Sequence, residues 1–348
     1  MVNWDLAVAT AGRLAGGGPS VTYSEAAAVV ANLRQATDES EVHVNDFTHL
    51  SAQVEHPPVR VVDRADWADV NVSGFRTVLT PLTDKLIGRS GVNPGPFATA
   101  VGSRITGLQV GGILAFLASK VLGQYEVFSG APGQLLLVAP NIVAAERSLE
   151  VDPHDFRLWV CLHEVTHRTQ FTAVPWLRDH FLSEVAAFMD ASDPEAMKDR
   201  LFSAIGQVAK AVRELDTELS VIDLVQTPAQ KVVLDRLTAL MTLVEGHAEF
   251  VMNGVGPMVV PSVEAIHEKF QARRAGTGPV DRALRRLLGI DVKMRQYAEG
   301  SRFVTAVVDQ VGMDGFNQVW RSPETLPTVA EISDAPAWIA RVHGIHAS

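Results

Sequence analysis

The sequence predicts a mainly α-helical protein with a small β-sheet, an α+β fold. Several long segments, such as Ser24 to Thr37, repeat apolar residues at the spacing of one helix face. Two short segments, Gln124 to Phe128 and Gln134 to Val138, have strand-like composition and are joined by the turn sequence SGAPG, so they predict a hairpin. Since 47% of the 348 residues are hydrophobic, the chain can bury a large core.

The first predicted region, residues 1–95, is helical. Ser20 or Thr22, together with Glu25, offers capping chemistry before its first helix. A second helix around Asn71 to Ile87 ends near the Gly- and Pro-rich segment GRSGVNPGPF, which is the predicted boundary of this region.

The second predicted region, residues 96–256, begins with an apolar helix at about 104–122 and includes the hairpin. Asp152 at a cap position and Pro153 in the first turn predict a helix that should run through Phe171. The apolar stretches of this region are too short, or too often interrupted by proline, to span a membrane as a helix of about 20 residues.

A helical insertion is predicted at about 176–226 within this second region. Another long helix should then start near Pro228, reach Asn253 and stop at Gly254 and Gly256, because glycine is common where helices end.

The third predicted region, residues 257–348, is again helical and carries a cluster of basic residues. These are Arg273, Arg274, Arg282, Arg285 and Arg286. The cluster predicts either solvated helix faces in an acidic protein or a surface for an acidic partner or substrate.

Composition excludes several classes of function. The formal net charge of −10 argues against a nucleic-acid partner, because such proteins neutralise phosphates with clustered Lys and Arg. Cys161 is the only cysteine, so no intrachain disulfide can form. The amino-terminal segment lacks the basic and then apolar pattern of a secretory signal, so we expect a cytoplasmic location.

The run His163-Glu164-Val165-Thr166-His167 stands inside the helix that Asp152 starts. Two histidines four residues apart lie one above the other on a helix, so both imidazoles can reach one ion, and Glu164 projects beside them. Chance produces this pattern in about 2% of chains of such composition. The residues therefore predict one Zn²⁺ per chain, with a buried helix whose histidines bond to neighbours as the alternative.

A third ligand must come from elsewhere, because a catalytic zinc site uses three protein ligands. The best candidate segment is LVEGHAEF, at 243–250, where Glu245 and Glu249 share one helix face. We expect Glu245 to bind the metal and Glu249 to support a ligand histidine, as in the gluzincins that this arrangement resembles. His247 is the alternative third ligand; it lies about 200° around the helix from Glu245.

These residues predict a metal-assisted hydrolysis in which Glu164 activates a zinc-bound water that attacks an amide carbonyl of a peptide or amide-containing substrate. The strand at Gln134 to Val138 is placed either to bind an extended substrate at a sheet edge or to be an ordinary core strand. The alternative function is a catalytically silent binding or scaffold protein.

The chain also resembles, almost end to end, an actinobacterial family of zincin-like metallopeptidases associated with the biosynthesis of a deazaflavin coenzyme. The resemblance rests on the segments VNWDLAVATAGRLA, HEVTHRTQF, LVEGHAEFVMNGVG, RRLLGIDVKMRQYAEGSRFV and LPTVAEI. It implies a zincin-like metallopeptidase core with additional helical lobes, and a hydrolase activity. The residues themselves include no Gly-rich nucleotide loop, so they predict no deazaflavin pocket.

Overall fold

A computed structural model of the chain describes residues 2–90, 96–191, 228–275 and 290–344. The fold is mainly helical with one small β-sheet in this part of the chain, as the sequence predicts. The chain divides into two compact units, Met1–Arg178 with Ala248–Gly276, and Asp179–His247 with Thr277–Ser348. The predicted division into 1–95, 96–256 and 257–348 stays a prediction.

The elements follow one another as a helical chain interrupted by three strands. In chain order they are α1 (Trp4–Leu14), α2 (Tyr23–Thr48), β1 (Arg60–Val62), α3 (Arg64–Ser90), α4 (Pro96–Ala118), β2 (Gly123–Glu126), β3 (Gln134–Val138), α5 (Ala139–Leu149), α6 (Pro153–Ala173), α7 (Leu177–Asp190), α8 (Pro228–Val259), α9 (Val263–Ala275), α10 (Ile290–Phe316), two short 3₁₀ helices (Asn317–Trp320 and Pro323–Thr325), α11 (Val329–Ile332) and α12 (Ala335–His343).

The sheet belongs to the first unit and has the order β1-β3-β2. Strand β2 pairs antiparallel with β3, which confirms the predicted hairpin, and β1 pairs parallel with β3 on the other side. Of the two alternatives for Gln134 to Val138, the ordinary core strand is confirmed and the sheet edge is wrong, because β3 pairs with β2 on one side and with β1, which was not predicted, on the other. In the described sheet β3 is the central strand, and β1 and β2 are the two edges.

The hydrogen-bonding pattern fixes which backbone groups of β2 face outward. Val138 N donates to Leu122 O at 2.8 Å, so these two residues form a bonded pair of the antiparallel ladder. Bonded pairs alternate along such a ladder. The N–H and C=O groups of Gly123 and Tyr125 therefore point away from β3.

Both ends of this outward edge are already bonded within the chain. Val121 O accepts a hydrogen bond from Asn141 Nδ2 at 2.6 Å. Val127 O accepts one from Arg178 Nε at 2.8 Å. The outward backbone groups between them are those of Gly123 and Tyr125.

Helix α6 begins where the sequence predicts. The Asp152 side chain accepts hydrogen bonds from His154 N and Asp155 N at 2.9 and 3.0 Å, and Pro153 occupies the first turn. The helix continues to Ala173, two residues beyond the expected end. It is buried on nearly all sides, since Phe156, Leu158, Leu162 and Val165 are each at most 1% exposed.

Helix α2 packs along α6 and is longer than predicted. Thr22 and Glu25 form a full capping box at its start, which confirms one of the two predicted caps. The helix then continues past Thr37 to Thr48 because it keeps a buried face over this length. The hydroxyl groups of these two threonines donate to backbone carbonyls one turn earlier, at 2.8 and 2.7 Å, so their polar atoms are satisfied inside the core.

Helix α8 does not stop at Gly254 and Gly256, so that prediction is wrong. A Cβ atom on Gly254 would lie 2.2 Å from the ring of Phe47. Gly254 therefore allows close packing, since only a residue without a Cβ atom leaves room for the ring of Phe47 against this helix. Pro257 is tolerated near the carboxyl end, and the helix ends at Val259.

In the second unit, α8 and α10 cross with their backbones in close contact. A Cβ atom on Gly246 would lie 2.2 Å from the carbonyl carbon of Gly300, and one on Gly300 would lie 2.1 Å from Thr242 O. Side chains of ordinary size cannot be accommodated at this crossing. Phe303, three residues after Gly300, and Trp338 are both buried in this unit, and their rings pack edge to face with 5.8 Å between centroids.

None of the described helices is long and apolar enough to cross a membrane. Most of the predicted insertion at 176–226 lies outside the described residues, although α7 covers its start. The side chains of the predicted basic cluster also lie outside them.

Candidate metal centre

His163 and His167 lie one turn apart on the same face of α6. Their Nε2 atoms are 3.2 Å apart, and the two rings meet nearly at right angles, with 4.7 Å between centroids. Two neutral imidazole nitrogens that both carry lone pairs repel at this distance, so the pair is arranged to share a proton or a cation.

The other ring nitrogen of each histidine has its own contact. His167 Nδ1 is 3.0 Å from Gln170 Oε1, and His163 Nδ1 is 3.2 Å from Met252 Sδ. Both partners are acceptors, so both contacts favour a proton on Nδ1 and a lone pair on Nε2. Neither partner was predicted from the sequence, although Gln170, three positions after His167, could have been found from helical spacing.

Glu245 joins the two histidines. One ligand atom from each of His163, His167 and Glu245 lies within 4.8 Å of the other two. Helix geometry explains the placement, because Glu245 and Met252 are seven residues apart on α8 and differ by only about 20° around its axis. The contact of Met252 with His163 therefore directs the same face of α8 toward α6.

His247, the alternative third ligand, points in a different direction. Its ring stacks on Phe316 at 5.3 Å and meets Trp320 edge-on at 5.6 Å, inside the aromatic core of the second unit. Glu249 lies one turn beyond Glu245 and is half-buried. Its support of a ligand histidine stays a prediction, since the two Nδ1 atoms contact Gln170 and Met252.

Glu164 is buried, with 7% of its surface exposed, and it lies against the first residue of β2. A Cβ atom on Gly123 would be 2.6 Å from both Cγ and Cδ of Glu164. The carboxyl group therefore rests on the bare Cα of Gly123, beside the outward edge of the sheet. No local pattern in the sequence marks this glycine as part of the site.

The donor set fits zinc. Two imidazole nitrogens and one carboxylate oxygen form a ligand combination that zinc takes at catalytic sites. Two ligands at about 2.0–2.1 Å from a tetrahedral ion are about 3.3–3.4 Å apart, and the histidine Nε2 atoms are 3.2 Å apart. The second described group of such residues, Asp152, His154 and Asp155, is accounted for by the helix cap and by a bond from Ser262 to Asp155.

Arg168, directly after the second histidine, turns away from the candidate site. It is buried and pairs with Glu41 of α2 at 3.0 Å, and burial lowers its pKa while Glu41 opposes this effect. Tyr125 of β2 donates to Pro132 O at 2.7 Å and stacks on Phe171. Burial raises the pKa of this tyrosine to about 12, so its phenol is neutral at physiological pH.

Comparisons with known proteins found one matching family and one similar solved structure. A family model described as a zincin-like metallopeptidase matches residues 2–339. Among solved structures, the chain is similar to a protein from Chloroflexus aurantiacus described as "a putative hydrolase with a novel fold", at 29% identity and a TM-score of 0.70, over 99% of each chain. No curated protein matches the chain.

Proposed function

Since the chain belongs to the zincin-like metallopeptidase family, we propose that it is a zinc-dependent hydrolase that cleaves an amide bond in a peptide or amide-containing substrate. The proposal narrows the broad hydrolase class, which the family and the similar structure support, to one reaction at one site. The observation that carries it is the convergence of His163, His167 and Glu245 within 4.8 Å.

In this proposal His163, His167 and Glu245 hold one zinc ion per chain, in a gluzincin-like arrangement. Zinc, when bound, supplies a Lewis acid that makes water more acidic and polarises a substrate carbonyl. Proton transfer and substrate binding are carried out by the side chains and the backbone around the metal site.

Glu164 acts as the general base in this proposal. It follows a ligand histidine directly on α6, is nearly excluded from water, and rests on Gly123 at the sheet edge. It accepts the proton of the attacking water and passes it to the leaving amine. Proton transfer by such a positioned group contributes about 10²- to 10⁴-fold in rate.

The substrate lies along β2 in this proposal. The outward N–H and C=O groups of Gly123 and Tyr125 can pair with an extended peptide, as an added strand pairs with a sheet edge. Gly123 contacts Glu164, so a peptide bound at this edge has its backbone next to the base.

Metal content and activity test the proposal together. We expect purified protein to hold one zinc per chain by atomic absorption, and His163→Ala/His167→Ala to lose it. His154→Ala, which removes an exposed histidine from the first turn of the same helix, should keep the metal. Absence of zinc from the wild-type protein, or its retention in the double variant, would overturn the proposed site.

The Glu164→Gln variant separates an enzyme from a scaffold. We expect it to retain zinc and to lose the release of new amino groups from a mixed peptide digest. If wild-type protein with full zinc releases none, the alternative of a silent binding or scaffold protein is favoured. A cytoplasmic location stays a prediction from the sequence, and the association with deazaflavin coenzyme biosynthesis stays an attribute of the actinobacterial family that the chain resembles.

A further inference from the structure

A histidine can bind a metal through Nε2 only when that nitrogen carries no proton. In a neutral imidazole the proton must then sit on Nδ1, and the hydrogen bond made by Nδ1 decides between the two tautomers. The residue that accepts this bond therefore controls how readily the histidine binds.

Gln170 is placed to control His167 in this way. It lies three residues after His167, so the two side chains are neighbours on the surface of α6. Its side chain is fully buried, and its Oε1 atom is 3.0 Å from His167 Nδ1. Burial excludes water as a competing partner for this nitrogen.

We propose that Gln170 is a positioning residue that keeps the proton of His167 on Nδ1 and directs its Nε2 atom toward the metal. This inference rests on the proposed function, because it needs the zinc site. It assigns a role at the zinc site to Gln170, which lies within one turn of the ligand His167 on α6.

The Nδ1 atoms of the two ligand histidines face hydrogen-bond acceptors of unequal strength. An amide oxygen is a full hydrogen-bond acceptor, whereas the thioether sulfur that faces His163 Nδ1 is a weak one. Loss of Gln170 should therefore weaken metal binding more than loss of the Met252 sulfur. This order distinguishes a tautomer effect from a general loss of packing near the site.

The variants are chosen to separate these effects. Gln170→Leu keeps the volume and removes the acceptor, Gln170→Glu restores an acceptor, and Met252→Leu removes the sulfur. Thr172→Val is the matched control, since it removes one buried hydrogen bond, from its hydroxyl to Arg168 O, on the same helix. Zinc affinity is measured on full-length protein by competition with a chromophoric chelator, after circular dichroism has shown that each variant is folded.

We expect Gln170→Leu to weaken zinc binding by roughly 10- to 100-fold, as loss of such supporting contacts does elsewhere. Gln170→Glu should return the affinity to the wild-type value or above it. Met252→Leu should have a smaller effect, and Thr172→Val none. Equal zinc affinity in wild type and Gln170→Leu would overturn the role of Gln170 alone, whereas a wild-type chain that binds no zinc would overturn the proposed function as well.

A second measurement does not depend on a variant that folds. In metal-free wild-type protein above the pKa of histidine, ¹⁵N correlation spectra report which ring nitrogen carries the proton. We expect His167 to be protonated on Nδ1 before any metal is added. A proton on Nε2 of His167 would contradict the proposal.

Discussion

The Cα atom of Gly123 lies directly against the carboxyl group of Glu164, so a methyl group at position 123 would be 2.6 Å from Cγ and Cδ of the glutamate. This contact joins the edge strand β2 to the helix that carries both histidines. It leaves room for the carboxyl group only because residue 123 has no side chain.

The Gly123→Ala variant should hydrolyse peptides more slowly than the wild type but should bind the same amount of zinc. The new methyl group must push the Glu164 carboxyl aside, and a misplacement of about 1 Å at a catalytic group can cost about 100-fold in rate. The measurement is the rate of peptide hydrolysis at equal zinc content. Gly112→Ala is the control, because a Cβ atom there has nothing within 4 Å. Unchanged hydrolysis in Gly123→Ala would show that Glu164 is not held by this contact.

The identity of the third ligand gives a second prediction. Glu245→Gln should weaken zinc binding by more than about 10-fold, because it removes a charged ligand rather than a supporting contact. His247→Phe should leave zinc binding near the wild-type value, since the ring of His247 packs between Phe316 and Trp320. Chelator competition measures both. A larger loss of zinc affinity in His247→Phe than in Glu245→Gln would identify His247 as the third ligand.

The helix crossing at Gly246 and Gly300 predicts a stability effect. Gly246→Ala forces the backbones of α8 and α10 apart, and such overpacking costs about 1–3 kcal/mol or more. The free energy of unfolding is measured by denaturant titration. Gly102→Ala, an exposed helical glycine with nothing within 4 Å of an added Cβ, should instead be neutral or slightly stabilising. A wild-type free energy of unfolding in Gly246→Ala would mean that α8 and α10 lie farther apart at this crossing than the structure shows.

Tyr125 predicts a loss of stability at high pH. Burial raises its pKa from 10.0 to about 12 in the folded protein. The unfolded chain therefore releases this proton first, so the stabilisation is complete below pH 10 and is lost as the pH rises toward 12. Tyr125→Phe should make the free energy of unfolding less dependent on pH in this window. It should also remove the ionisation near pH 12 from an absorbance titration at 295 nm; an unaltered titration curve would contradict the raised pKa.

Local signals in the sequence predicted much of the fold around the site. Asp152 and Pro153 fixed the start of α6, and with it the helical phase that brings His163 and His167 together. These features depend on residues close in sequence, which is why spacing alone reveals them.

Features that depend on distant contacts could not be predicted in this way. Gly254 looks like a helix end in sequence, but in the fold it makes room for Phe47 of α2. The partner of His163 Nδ1 is Met252, 89 residues later, and an apolar methionine in a helix gives no sign of such a contact. Strand β1 has three residues, too few for a periodic pattern.

The occupied ends of the β2 edge have a consequence for the size of the substrate. Val121 O and Val127 O are bonded to Asn141 and Arg178, so a peptide bound as proposed would pair with the outward backbone groups of Gly123 and Tyr125 between them. Strand residues two apart span about 7 Å, which matches about three residues of an extended peptide. In the proposed binding mode, an oligopeptide should therefore gain little affinity from residues added beyond about three.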